Sequence, residues 1–193
     1  MILASRNAHK LRELREILPG IELDPLPEAV QLPPEDGQTY AENALIKARA
    51  AHEATAQAAV ADDSGIEASA LGGRPGVRSA RYDGPGATDE SNLAKLLREV
   101  AEAGDDRRVT YRCVIALVDA DREERTFEGS CEGTLIEEPR GEGGFGYDPA
   151  FVPDDTGPGD QRTMAELTPD EKNAISHRAR AARALASHLE GRG

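Results

Sequence analysis

The sequence predicts an α/β fold, with a mixed central sheet flanked by helices and including a long antiparallel hairpin. Three observations carry this. Short apolar runs suited to buried strands alternate along the chain with segments of helical periodicity. Val109, Tyr111, Cys113, Ile115 and Leu117 repeat with period two, and a second extended run, Arg125 to Ile136, follows a turn at Asp119-Ala120-Asp121. No internal repeat or long linker interrupts the 193 residues, so a single domain over 1–193 is expected. Crossover helices favour parallel pairing and the hairpin is antiparallel, so the sheet is mixed.

Taken in order, Met1 to Ala4 reads as a short buried strand and Ser5-Arg6-Asn7 as a turn. A helix follows from Ala8 to Leu18, with Leu11, Leu14, Ile17 and Leu18 on its apolar side and Pro19-Gly20 as its stop. A strand is expected around Ile21 to Leu23, then a proline-rich loop from Pro25 to Pro34. Thr39 with Glu42 three residues on is a capping-box pattern, and the alanine-rich helix it opens runs to about Gln57. Ala59 to Ala61 forms the next strand, ending at Asp62-Asp63-Ser64-Gly65, with a loop-rich stretch beyond. Thr88 caps a helix through Val100 that turns Leu93, Leu96, Leu97 and Val100 inward. After the hairpin, a glycine-rich segment leads to a short strand at Phe151-Val152. Thr168, Pro169 and Glu171 mark the start of a last helix that continues to about Leu189.

Aromatic residues make up 4% of the chain and tryptophan is absent, so the core rests on Leu, Ile, Val and Ala. Lys and Arg number 23 against 36 Asp and Glu, a net charge of −13. That balance argues against a nucleic-acid-coating surface, which needs basic patches. It leaves room for a nucleotide substrate, because a few converging cations make a locally positive pocket. Cys113 and Cys131 sit on separate strands and read as small buried thiols. The N-terminal apolar run is too short for a signal peptide, and no stretch approaches the ~18 apolar residues of a membrane span. A cytoplasmic protein with no membrane partner is expected.

Five segments carry candidate chemistry. Ser5-Arg6-Asn7-Ala8-His9-Lys10 joins a strand to a helix N-terminus, where backbone N–H groups and the helix dipole favour phosphate, and where Ser5 or Asn7 can equally cap the helix. In Glu35-Asp36-Gly37-Gln38-Thr39-Tyr40-Ala41-Glu42, Glu42 has a capping task and Glu35 has none, which makes Glu35 the better metal contact. Asp62-Asp63-Ser64-Gly65 is the strongest local signal, since carboxylates at a buried strand call for a compensating cation. A hard ion such as Mg²⁺ takes oxygen ligands of this kind, and a carboxylate there can also accept a proton from water; an Asx-type turn is the structural alternative. Gly143-Gly144-Phe145-Gly146-Tyr147-Asp148 combines backbone freedom with rings that can stack on a base and an acid that can accept from ring N–H groups; a bulged turn is the alternative. On the last helix, Lys172 and Ser176 share a face, as do Asn173 and His177, and His177-Arg178 can meet base carbonyls or phosphate. Together these indicate a metal-dependent enzyme acting on a phosphorylated substrate.

Taken in order along the chain, these segments resemble the inosine/xanthosine triphosphate pyrophosphatases, which hydrolyse non-standard purine nucleoside triphosphates. The resemblance runs from Ser5 to Arg178. It implies two lobes with a central cleft, a homodimer, Mg²⁺ dependence, and cleavage of ITP, dITP or XTP to the monophosphate and pyrophosphate. It also implies residue roles: Asp63 as general base and metal contact, Ser64 touching substrate, and Glu35 as second metal contact. Ser5, Arg6, Asn7, Ala8, His9 and Lys10 would hold phosphates. Phe145, Gly146, Tyr147 and Asp148 would hold the nucleoside, Lys172 phosphate or base, and His177 and Arg178 the 6-oxo edge of the purine. Arg6 stands where the family often has glycine, and Ser69 where it often has an acid. The competing readings are a pyrophosphatase for other modified nucleotides and a nucleotide-binding regulator without turnover.

Overall fold

The structure, a computed structural model, describes residues 1–191. Its strands are β1 (Ile2–Leu3), β2 (Asp24–Pro25), β3 (Ala59–Ala68), β4 (Arg108–Val118), β5 (Glu124–Leu135) and β6 (Phe151–Pro153). Its α-helices are α1 (Ala8–Ile17), α2 (Tyr40–Thr55), α3 (Asp89–Ala103), α4 (Pro169–Ile175) and α5 (His177–Glu190). The strands form one sheet in the order β2-β1-β3-β4-β5-β6. β1 pairs in parallel with β2 and β3, and β5 pairs antiparallel with β6, so the sheet is mixed as the sequence predicts. The β4–β5 hairpin closes where Asp119 accepts the backbone N–H groups of Asp121 and Glu123 on its carboxylate. No helix among the described residues is long and apolar enough to cross a membrane.

The chain forms two compact units. The first comprises Met1–Asp63, Cys113–Gly129 and the chain from Arg178, the second Ser64–Arg112 and Ser130–His177. In the first unit, strand alternation sends side chains to two faces. Leu3, Val60, Cys113, Ile115 and Leu117 pack with Leu14 of α1, with Leu18 just beyond its end, and with Ala181, Ala182 and Leu185 of α5. Ile2, Ala4, Ala59, Ala61, Ala116 and Val118 pack with Ala44, Ala48 and Ala51 of α2. In the second unit, Leu93, Leu96 and Val100 of α3 meet Ile66, Val109, Tyr111, Leu135, Phe151 and Met164.

Three expectations are corrected. The second strand lies at Asp24–Pro25 rather than Ile21 to Leu23, because Ile21 is drawn into a turn by its N–H bond to Leu18 O. Pro25 is tolerated because β2 is the sheet edge. The strand expected to stop at Ala61 continues through the acidic segment to Ala68, since both aspartates find partners within the fold. The stretch beyond it forms 3-10 turns at Ser69–Leu71 and Gly76–Arg81.

The single last helix is in fact two. Ser176 is extended (φ −63°, ψ 151°), a conformation and residue type suited to a helix N-cap, and it separates α4 from α5. Asn173 and His177 therefore do not share a helical face, whereas Ser176 still closes the last turn of α4 over Lys172, its N–H bonded to Lys172 O. The capping boxes at Thr39 and Glu42 and at Thr168 and Glu171 form as read; the box at Thr88 is completed by Ser91.

Candidate functional site

The core of the site follows from the period of a strand. Asp62 and Asp63 are neighbours on β3, so their side chains leave on opposite faces. Asp62 falls on the Val60 face, toward α1 and α5, and is fully buried. Its Oδ2 accepts from Lys10 Nζ at 2.9 Å and Arg178 Nε at 3.3 Å. Burial alone would raise the Asp62 carboxyl, but the charges of Lys10, Arg178 and Lys47 outweigh it and hold the group well below the usual carboxylate range. Arg178 is 2% exposed and also pairs with Glu13 of α1.

Asp63 falls on the α2 face. Its Oδ2 accepts from Asn43 Nδ2 at 3.0 Å, and Asn43 Oδ1 accepts the Gly37 N–H at 2.9 Å. Asn43 thus ties Asp63 to the loop that carries Glu35. Four residues on along the same helix face, Lys47 donates to Glu35 Oε1 at 2.5 Å and to the Asp62 carbonyl at 2.7 Å. Burial would lower the Lys47 ammonium, yet the charges of Asp62, Glu35 and Asp63 hold it above its ordinary value. Burial raises the Asp63 carboxyl; Lys47 and the Asn43 hydrogen bond only partly offset this, and the charge of Glu35 adds to the rise. A carboxyl raised in this way is a stronger base than an ordinary aspartate.

At the α1 N-terminus, Asn7 caps the helix, with Oδ1 accepting the N–H groups of His9 (2.9 Å) and Lys10 (3.2 Å). Ser5 Oγ accepts the Asn7 N–H. Two first-turn amides expected to meet phosphate are therefore already engaged by Asn7. The Arg6 guanidinium is bonded to the carbonyls of Leu26, Pro27, Glu28 and Val30 and braces the proline-rich loop. Ala8 and His9 are exposed at the start of the helix. Glu42 bonds the N–H groups of Gln38 and Thr39, so its task is capping.

The second unit gathers the aromatic and glycine-rich residues. Asp148 is buried; its Oδ2 accepts from Lys172 Nζ at 2.8 Å and the Phe145 N–H at 3.0 Å, and its Oδ1 from the Tyr111 hydroxyl at 3.0 Å. Lys172 Nζ also lies 5.1 Å from the centroid of the Phe145 ring. Gly144 has φ +71° and packs so closely on the Asp148 carboxylate that a Cβ would collide with it. The Gly146 N–H bonds Asp89, and the Tyr147 hydroxyl donates to Ser79 O at 2.8 Å. The imidazole of His177 stacks on Tyr111 with centroids 4.5 Å apart and rings 9° from parallel. Ser64 is half-buried on β3.

In the first unit, Lys10 and Arg178 meet at Asp62 on one face of β3, while Glu35 and Asp63 flank Lys47 and Asn43 on the other; the second unit gathers Phe145, Tyr147, Asp148, Lys172 and His177. Sequence reasoning missed Lys47, Glu13, Tyr111 and the bridging role of Asn43. Lys47 had a signal: it sits three residues after Ala44 and four after Asn43, on the helix face that the alanines mark as buried.

A profile of the Ham1 family matches residues 1–188. The chain belongs to the Ham1 family. Among Ham1 relatives, it is 50% identical over 203 aligned residues to a dITP/XTP pyrophosphatase of Cutibacterium acnes, covering 100% of this chain and 98% of that protein. It is 45% identical to a dITP/XTP pyrophosphatase of Geobacter sulfurreducens, with the same coverage. The solved structure of a HAM1 protein from Coxiella burnetii superposes with a TM-score of 0.87 at 44% identity over 98% of both chains.

The Ham1 family implies a Mg²⁺ cofactor, and the donor set fits one. Among the described residues no three His, Cys, Asp or Glu side chains form a self-sufficient metal cage. Mg²⁺ does not need one, since it binds through one or two carboxylates and completes its shell with phosphate and water. Glu35 and Asp63 supply two carboxylates close enough that one raises the other, which is the repulsion a divalent cation relieves.

The bridge makes a prediction. Asn43→Ala removes the bond to Asp63 and the one to Gly37 together, at a cost of ~1–3 kcal/mol. A fall in thermal midpoint accompanied by a weaker response to Mg²⁺ in a titration is expected. An unchanged Mg²⁺ response would show that Asn43 supports the fold alone.

Proposed function

We propose that this chain hydrolyses non-standard purine nucleoside triphosphates, namely ITP, dITP and XTP, to the monophosphate and pyrophosphate in a Mg²⁺-dependent reaction that cleanses the nucleotide pool. The observation that carries the reading is Asp63: a buried carboxyl raised above its ordinary range, oriented by Asn43 and set beside Lys47 and Glu35. A passive nucleotide binder has no need of such a base. The chain acts as one domain over 1–193, as a cytoplasmic homodimer without nucleic-acid or membrane partners.

Glu35 and Asp63 would hold Mg²⁺, which when bound neutralises polyphosphate charge and acidifies water. Asp63 takes the proton from the attacking water. Ser5, Asn7 and Lys10, with the backbone of Arg6 and Ala8 and the His9 side chain, hold the phosphates, and Ser64 touches the substrate. Phe145 stacks on the base, while Gly146, Tyr147 and Asp148 shape the nucleoside pocket with Lys172. His177 and Arg178 offer donors to the 6-oxo edge, which the 6-amino group of adenine would leave unpaired.

Incubation with dITP, XTP, dATP, dGTP and dTTP, with pyrophosphate as the readout, tests this. Release from dITP and XTP that is abolished by EDTA and restored by Mg²⁺ is expected. Equal rates on dATP and dITP would remove the 6-oxo selectivity, and no release from any substrate would remove the enzyme.

A further inference from the structure

We propose that Tyr111 is the positioning residue that sets base selectivity, by fixing Asp148 through its hydroxyl and His177 through its ring. The inference rests on the reading that these two side chains meet the nucleoside. Tyr111 lies on β4, which belongs to the alternating half of the hairpin, and is 6% exposed. Its ring packs against Phe151 at 4.5 Å and 40°, a contact that phenylalanine would make equally well. The core therefore does not explain the hydroxyl.

Asp148 does. Lys172 and the Phe145 N–H both bond Oδ2 and hold that oxygen alone. The Tyr111 hydroxyl bonds Oδ1 at 3.0 Å and pins the other end, so the plane of the carboxylate is set. The opposite commitment is made by the ring. His177 lies at 4.5 Å and 9° from parallel, so the plane in which its nitrogens point is the plane of the tyrosine. Hydrogen bonds weaken steeply as they bend, so the angles of these two side chains decide which base edges they can satisfy. One residue thus holds an acceptor and an imidazole in a single fixed relation. A base whose edge does not match that relation leaves buried polar groups unpaired.

Tyr111→Phe and Tyr111→Leu in the full chain test this. The first deletes the hydroxyl and keeps the stacking ring; the second deletes both. Steady-state rates on dITP, dGTP and dATP with Mg²⁺, calorimetric binding of inosine monophosphate and thermal melts are the readouts. For Tyr111→Phe, KM for dITP is expected to rise about ten-fold, the loss of one hydrogen bond to a charged acceptor. Its kcat should change less, and the preference for dITP over dGTP should narrow. Tyr111→Leu should narrow it further. A Tyr111→Phe protein with a lower melting point but unchanged KM and preference would overturn the proposal and leave a structural tyrosine. If the unaltered chain fails to hydrolyse dITP, the functional reading falls, and inosine monophosphate binding then judges Tyr111 separately. Weaker binding by Tyr111→Phe supports its positioning role, and equal binding refutes it.

Discussion

Asp63→Asn is expected to lower kcat on dITP by roughly 10²–10⁴-fold, the usual contribution of a positioned proton acceptor. The substitution is nearly isosteric, and its amide oxygen can still accept from Asn43 Nδ2, so the link to the Gly37 loop survives. Lys47 keeps Glu35 and the Asp62 carbonyl as partners. What the variant loses is the group that takes a proton and one of two carboxylates for Mg²⁺. The melting point should therefore stay within a few degrees, while Mg²⁺ binding weakens and nucleotide binding persists. Single-turnover rates beside a thermal melt check this. Near-normal kcat in a folded Asp63→Asn protein would transfer the base to another residue.

Arg178→Ala has the largest expected effect on stability. The guanidinium is buried and joins Asp62 to Glu13, so its removal takes the shared cation from two buried acids and leaves Lys10 to hold Asp62. Breaking a buried ion pair from one side costs ~3–5 kcal/mol. For a chain of this size that corresponds to a fall in melting point of roughly 10 °C. Arg178→Lys should recover only part of it, because an ammonium is a point charge and cannot reproduce the planar fork that meets two acids. Glu13→Gln, which leaves the pair with Asp62 intact, should be milder. A melting curve for Arg178→Ala that overlays the unaltered protein would limit Arg178 to substrate contact.

Local rules made much of the fold legible. The period-two run from Val109 fixes the hairpin, and the paired threonines and glutamates at 39 and 42 and at 168 and 171 place two helix starts. The strand through Asp62 and Asp63 was not legible, because two acids, a serine and a glycine read locally as a turn. What keeps them extended is Lys10, Lys47, Arg178 and Asn43, which lie between 15 and 116 residues away. The break at Ser176 was hidden for a related reason: Lys172, Asn173, Ala174 and Ile175 precede it and an alanine- and arginine-rich run follows, so nothing in the local pattern opposes helix. Among the site residues, those inside recognisable motifs were named. Tyr111 is legible only as one step in the alternation of the hairpin, which reports which face a side chain takes and not what its hydroxyl meets.

Cys113 sits among the residues around Asp62, and burial, followed by the charge of that aspartate, pushes its thiol up to about 12. The thiolate form, which alone attacks electrophiles, is therefore all but absent at neutral pH. Cys131 is likewise sealed, with no accessible surface. Both thiols are consequently shut away from peroxide, glutathione or a disulfide partner while the chain is folded.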